Sequence, residues 1–200
     1  SPGLPAKPSA VSSALSRSSP ADPVDAALTS AVSAVLARVQ VGDAVAPLVL
    51  VDGRSGAGKS SLARRLLAAW PGETAAQLIA LDDLYPGWDG LAEGSRYARE
   101  NILLPHSRGT TGEWRRWDWA RAERAEVHQV DPASALIVEG AGAITPESAT
   151  LADVTVWVEA PRASRKQRGL DRDGDAYRPY WDRWAAQEDL HIAAHRPAER

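Results

Sequence analysis

Cysteine, methionine and phenylalanine are all absent from this chain of 200 residues. Without cysteine, disulfide frameworks, thiolate zinc sites and thiolate nucleophiles are excluded, which fits a reducing compartment such as the cytoplasm. Without phenylalanine or methionine, the core must be filled by Leu, Val, Ala and the eight tryptophans. Excess charge of one sign is also missing, the net charge being −3. A nucleic-acid coat or a polybasic membrane binder needs summed positive charge, so neither partner is expected. No apolar run, the longest lying around Ala44 to Val51, approaches the roughly 18 residues of a membrane span. The opening stretch has no basic start followed by an apolar segment, so it does not read as a signal peptide. Its first residue, Ser1 rather than Met, reads as a processed end.

What is present is a globular composition, 44% hydrophobic and 24% charged, on a length suited to one α/β domain. Residues 1–21, rich in Ser, Ala and Pro, form a lead-in unable to bury enough apolar surface to order itself. A single domain is expected over 22–200. Val24, Leu28, Val32, Val35 and Val39 recur at helical spacing behind Asp22 and Pro23, predicting a helix that ends near Gly42. Short apolar runs predict strands at Pro47 to Val51, Gln77 to Leu81, Ala135 to Val138 and Val154 to Val158. Strands alternating with helices imply a parallel sheet with helices on both faces. A last helix is expected from Tyr177 to about Ala194, carrying Trp181, Trp184 and Ile192.

The strongest motif is GRSGAGKS, Gly53 to Ser60, which fits G-x-x-x-x-G-K-[ST] between a predicted strand and a predicted amphipathic helix. In such a loop Gly53, Arg54, Ser55, Gly56, Ala57, Gly58, Lys59, Ser60 and Ser61 wrap phosphates in backbone N–H groups at the positive end of a helix. Lys59 reaches the β- and γ-phosphates, and the Ser60 hydroxyl holds Mg²⁺. ATP and Mg²⁺ are therefore the expected cofactors. A base-reading N-K-x-D is missing, which disfavours a GTPase.

Two further strands end in acids. LIALDDLY places Asp82 and Asp83 where a parallel strand runs out, on the edge of the sheet that carries the phosphate loop. A carboxylate there can take the proton of an attacking hydroxyl or contact Mg²⁺. ALIVEGAG ends in Glu139, placed to hold the metal beside Ser60. Each acid could instead be structural, Asp83 as a cap and Glu139 as the partner of an arginine.

GRSGAGKSSLARRL followed by a strand ending in D-D-L-Y resembles the uridine kinase and phosphoribulokinase group of P-loop kinases. The resemblance implies a three-layer P-loop fold, Asp82 as catalytic base, Tyr85 as its aromatic partner and Glu139 as the acid of the family's E-G. It further implies an arginine-bearing lid at about 160–175, from which Arg165, Arg168 and Arg172 neutralise the transferred group, with adenine nearby. Leu84 stands where the family has Phe.

Acceptor-binding elements are expected in the insert between Pro86 and Asp131. Its GEWRRWDWARAER places Arg115, Trp117 and Asp118 where rings can stack on a base and cations can hold a phosphate. Core anchors of an amphipathic helix would give the same letters. Asp118 is similar to a Y-D segment of uridine kinases, and Asp83 completes the candidate acceptor side. The expected function is transfer of the γ-phosphoryl group of Mg-ATP to a hydroxyl of a nucleoside. Alternatives are a nucleoside monophosphate kinase, since Asp52-Gly53 resembles cytidylate kinases, a sugar kinase of the gluconate type, and an ATP-hydrolysing switch. A homodimer is one assembly such a chain could adopt. His191 and His195 lie one turn apart without a third metal ligand, and Glu188 is expected to pair with a nearby cation.

Overall fold

The structure, a computed structural model, describes residues 23–72 and 76–200, leaving out the side chains of residues 172, 173, 175 and 176. The lead-in at 1–21 and Asp22 lie outside the described residues.

Four parallel strands form the central sheet: β1 (Leu48–Gly53), β2 (Gln77–Ala80), β5 (Leu136–Glu139) and β6 (Val154–Val158). Their order across the sheet is β2-β5-β1-β6. Every residue of β1 and β5 is buried, as expected for strands covered on both faces and therefore written in continuous Leu, Val and Ile. Register aligns Val51 with Glu139 and Ala80 with Glu139, so β1, β2 and β5 end at one level. That common edge brings the phosphate loop, Asp82 and Glu139 together although they are far apart in sequence.

One face of the sheet is covered by α1 (Pro23–Val41) and α2 (Lys59–Ala68). Val32, Val35, Leu62 and Leu66 pack there on Val49, Val51 and Ile137. By length and composition alone α1 is apolar enough to cross a membrane, with a mean hydropathy of 1.3, although Asp25 and Arg38 interrupt it so that no uninterrupted apolar run of that length occurs. It is long enough because Ala, Ser and Thr dilute its valines without adding charge. Here Val32 and Val35 are spent on the sheet, and Asp25 pairs with Arg65 of α2 at 2.6 Å.

The other face carries α3 (Leu91–Ala98), which passes through a π-helical turn (Arg99–Leu103) into α4 (Leu104–Ser107). Beside it lie the short α5 (Pro146–Ala149), the kinked α6 (Arg162–Tyr177) and α7 (Trp181–His195). Leu48, Leu50, Leu136 and Val138 meet Ile102, Ile144, Trp181 and Trp184 in the larger core cluster. The last helix is thus shorter than expected: Tyr177 ends α6, and a 3-10 turn at Arg178–Tyr180 leads into α7.

The insert corrects the sequence reading more deeply. Its Trp- and Arg-rich segment is no helix but an antiparallel hairpin, β3 (Gly112–Asp118) with β4 (Glu123–Val130). Asp118 makes the turn, its Oδ1 accepting from the N–H groups of Ala120 and Arg121 at 3.0 Å each. Gly112 and Trp114 point inward while Glu113 and Arg115 point out, the two-residue alternation of a strand.

Candidate active site

β1 delivers the chain into the phosphate loop, and α2 begins at Lys59. Gly56 (φ +75°) and Gly58 (φ +111°) lie in the left-handed region that glycine enters without penalty. Gly56 has a second reason to be glycine: a Cβ there would lie 2.1 Å from the Arg165 carbonyl oxygen. The Lys59 ammonium reaches back to the Arg54 carbonyl at 3.1 Å. Ser61 is exposed on the first turn of α2, beside a hollow lined by Gly56, Gly58, Lys59, Arg64 and Arg168.

A narrow cleft opens at the strand ends, lined by Ser55, Lys59, Ser60, Asp82, Tyr85, Glu139, Ala141 and Trp184. The Ser60 hydroxyl donates to Glu139 Oε1 at 2.7 Å. Glu139 is buried, 6% exposed, whereas Asp82 is exposed on a 3-10 turn (Leu81–Asp83) that follows β2. The hydroxyl and carboxylate of this pair are hard oxygen donors, the set that suits Mg²⁺, which keeps several waters and takes its other ligands from phosphates. Among the described residues no group of three or more acids or histidines forms a metal site, and two donors beside a phosphate loop need no such cage. Ser60 and Glu139 therefore fit the ion.

Tyr85 is buried and donates its hydroxyl to the Ala141 carbonyl at 2.7 Å. Burial, and then the negative charges of Asp82, Asp52, Glu139 and Glu188, hold its pKa well above the ordinary value. It is a neutral wall of the cleft. Asp83, the other acid of the pair, interacts with the hairpin residues Arg116, His128 and Glu126; burial first and Asp82 second raise its pKa.

The candidate acceptor residues of the hairpin do not line this cleft. Arg115 is exposed, with its backbone N–H on the Tyr97 hydroxyl at 2.9 Å. Asp118 makes the turn, and its pKa is lowered chiefly by the Arg121 amide. Trp117 lies 5.5 Å from the Arg124 guanidinium, which stacks more closely on Tyr97 at 4.0 Å. Of the hairpin tryptophans, Trp119 reaches the segment that carries Asp82, its Nε1 donating to the Asp82 carbonyl at 2.9 Å. Arg124 fixes the hairpin to the same segment by donating to the Leu84 carbonyl at 2.9 Å. Trp184 of α7, read from sequence only as a helical apolar position, is with Tyr85 an aromatic wall of the cleft. It meets Tyr85 edge to face at 4.7 Å.

The arginines of α6 are pressed on the loop. Arg165 donates to Ala160 O at 3.0 Å and to Ser55 O at 3.3 Å, and Arg168 donates to Gly56 O at 2.8 Å. Burial lowers the pKa of Arg165, with Glu188 the largest opposing influence. The side chain of Arg172 lies outside the described residues. His191 is committed to Asp52, Nε2 to Oδ2 at 3.0 Å. Asp52 in turn accepts from the N–H groups of Gly53, Gly142 and Ile144, tying β1, the segment after β5 and α7 together.

No family model and no curated protein matches the chain, but 37 solved chains do. A "putative fructose transport system kinase" from Silicibacter sp. TM1040 superposes with a TM-score of 0.65 at 20% identity, covering 84% of this chain and 95% of that one. A "possible uridine kinase" from Bacillus stearothermophilus gives a TM-score of 0.62 at 17% identity, covering 87% and 96%. At such identities the likeness is one of fold: a central parallel sheet flanked by helices, shared with structures that bear kinase names.

Proposed function

We propose that the chain is a small-molecule kinase that moves the γ-phosphoryl group of ATP to a hydroxyl, with a nucleoside as the leading acceptor. The observation that carries this reading is the convergence of Lys59, Ser60, Asp82 and Glu139 on one cleft. The kinase names of both fold neighbours support it, one a "possible uridine kinase". The acceptor hydroxyl approaches past Trp184. As its oxygen bonds to the γ-phosphorus, Asp82 accepts its proton, and the bond from phosphorus to the bridging oxygen breaks to release ADP. Lys59 exchanges the Arg54 carbonyl for phosphate oxygens, and Arg165 and Arg168 add positive charge beside the transferred group. Ser60 and Glu139, with Asp82 nearby, would hold Mg²⁺, which when bound would offset the negative charge of the nucleotide phosphates. Tyr85 and Trp184 wall the reacting atoms from water, while Asp83 and the hairpin residues Arg115, Trp117 and Asp118 form the outer acceptor side. Such an enzyme, drawing on the ATP pool, works in the cytoplasm as one domain spanning 22–200.

A sugar acceptor is the second reading, favoured by the name of the fructose-system neighbour and by aromatic walls, which suit the C–H faces of sugar rings. Release of ADP from Mg-ATP, measured against nucleosides, nucleoside monophosphates, fructose, gluconate and pantothenate with a no-acceptor control, tests both. Stimulation by one acceptor identifies the class. Equal release with and without every acceptor would replace the kinase by an ATP-hydrolysing switch.

A further inference from the structure

Glu188 lies on α7, 133 positions from the phosphate loop, and is only 2% exposed. A carboxylate taken that far from water is costly unless it is hydrogen-bonded and paired. The expected cation is not its closest partner: Arg54 Nη1 stands 4.0 Å away, and the Arg54 guanidinium is instead engaged by Asp189 at 2.6 Å. The short contact is with backbone, Ser55 N–H donating to Glu188 Oε1 at 2.6 Å. On its other side Ser55 is gripped as well, its carbonyl accepting from Arg165 at 3.3 Å. One residue of the loop's first turn is therefore held at both backbone ends by charged groups from α6 and α7.

The neighbours of Glu188 on α7 extend this grip to the acceptor side. Gln187 donates to the Trp88 carbonyl at 2.6 Å and accepts from Leu91 N–H at 3.2 Å. Trp184, one turn earlier, lines the cleft. Tyr180, just before α7, stacks on Trp88 with ring centroids 4.5 Å apart.

We infer that Glu188 is a positioning residue for the phosphate loop: by accepting from Ser55 N–H it presets the Arg54–Ser55–Gly56 turn in the conformation that receives a nucleotide. This rests on the reading of the loop as a nucleotide site. An unheld loop would order itself at the expense of binding, whereas a preset one does not. A tenfold loss of affinity corresponds to about 1.4 kcal/mol, within what one buried hydrogen bond to a charged group can supply.

The test uses the whole chain with Mg-ADP as the probe, in wild type, Glu188→Ala, Glu188→Gln and Lys59→Ala. Calorimetry gives affinity, and hydrogen exchange reads the Ser55 amide without nucleotide. Glu188→Ala is expected to weaken Mg-ADP binding by about tenfold and to speed exchange at Ser55. Glu188→Gln keeps an acceptor oxygen and is expected to restore both, staying within about threefold of wild type; this rescue distinguishes positioning from a general loss of stability. The inference is overturned if Glu188→Ala matches wild type in both readouts. It is equally overturned if a folded Glu188→Gln fails as the alanine does, or binds more tightly than wild type, since the carboxylate would then act only through its charge. Wild type and Lys59→Ala binding Mg-ADP equally well, or not at all, would remove the nucleotide site itself, whereas the exchange of Ser55 still reports on the grip.

Discussion

The Ser60 hydroxyl and the Glu139 carboxylate meet at 2.7 Å across the gap between α2 and the end of β5. They come from segments 79 residues apart, and only the parallel register of β1 with β5 sets them at one level. If these two oxygens hold Mg²⁺ as proposed, removing either donor is expected to weaken the hold on the cation while leaving the apolar core intact. Glu139→Gln is expected to raise the Mg²⁺ concentration for half-maximal turnover by about 10–100-fold. Titration of activity with Mg²⁺ at saturating ATP checks this. An unchanged requirement would take Glu139 out of the metal site.

Asp82 and Lys59 face the same cleft, and the proposed mechanism gives them different steps. Asp82→Asn is expected to keep ATP binding and lower phosphoryl transfer by about 10²–10⁴-fold, the range of a lost general base. Lys59→Ala is expected to remove nucleotide binding and turnover together. Binding by calorimetry and turnover by acceptor phosphorylation separate the two, and wild-type transfer in Asp82→Asn would move the base elsewhere.

How much of this was legible in the sequence follows from the range of the forces involved. The strand from Val154 to Val158 emerged with its predicted bounds because a short run of Val and Trp is a local signal, even in a half-buried strand at the sheet edge. The loop from Gly53 to Ser60 was legible because its glycines answer to local backbone geometry. The hairpin was not, since a register irregularity between Arg115 and Trp117 breaks the alternation that would have revealed β3. Glu188 and Trp184 escaped for another reason. Helical spacing shows which face of α7 is buried, but not that this face meets a loop 133 positions away.

Asp83 gives a pH-dependent prediction whose sign follows from its surroundings. Its folded-state pKa is raised above 3.8, first by burial and second by Asp82, so the folded chain holds this proton more tightly than the unfolded one. The ionised form then works against the fold above the folded pKa, and that penalty disappears as pH falls below the unfolded value. Asp83→Asn is therefore expected to raise Tm at pH 7 and to leave it nearly unchanged at pH 3. Thermal melts of both proteins at the two pH values test this; a loss of stability at pH 7 would mean that the attraction of Arg116 and His128 outweighs burial.

Two glycines of the loop separate strain from collision. At Gly58, φ is +111° and a Cβ would meet nothing within 4 Å, so Gly58→Ala bears only the cost of a left-handed backbone, about 1–2 kcal/mol. At Gly56, φ is +75° and a Cβ would also lie 2.1 Å from Arg165 O and 2.8 Å from its carbonyl carbon. Those atoms are backbone, so no rotamer change relieves the clash; α6 must move away from the loop, and the contacts of Arg165 and Arg168 go with it. Gly56→Ala should consequently lower Tm further than Gly58→Ala, on a scale of about 2–4 °C per kcal/mol for a chain of this size. Differential scanning calorimetry of the two variants decides the matter. Equal losses would show that α6 yields without resistance, and the close approach of Arg165 to Gly56 would then contribute little to holding the loop.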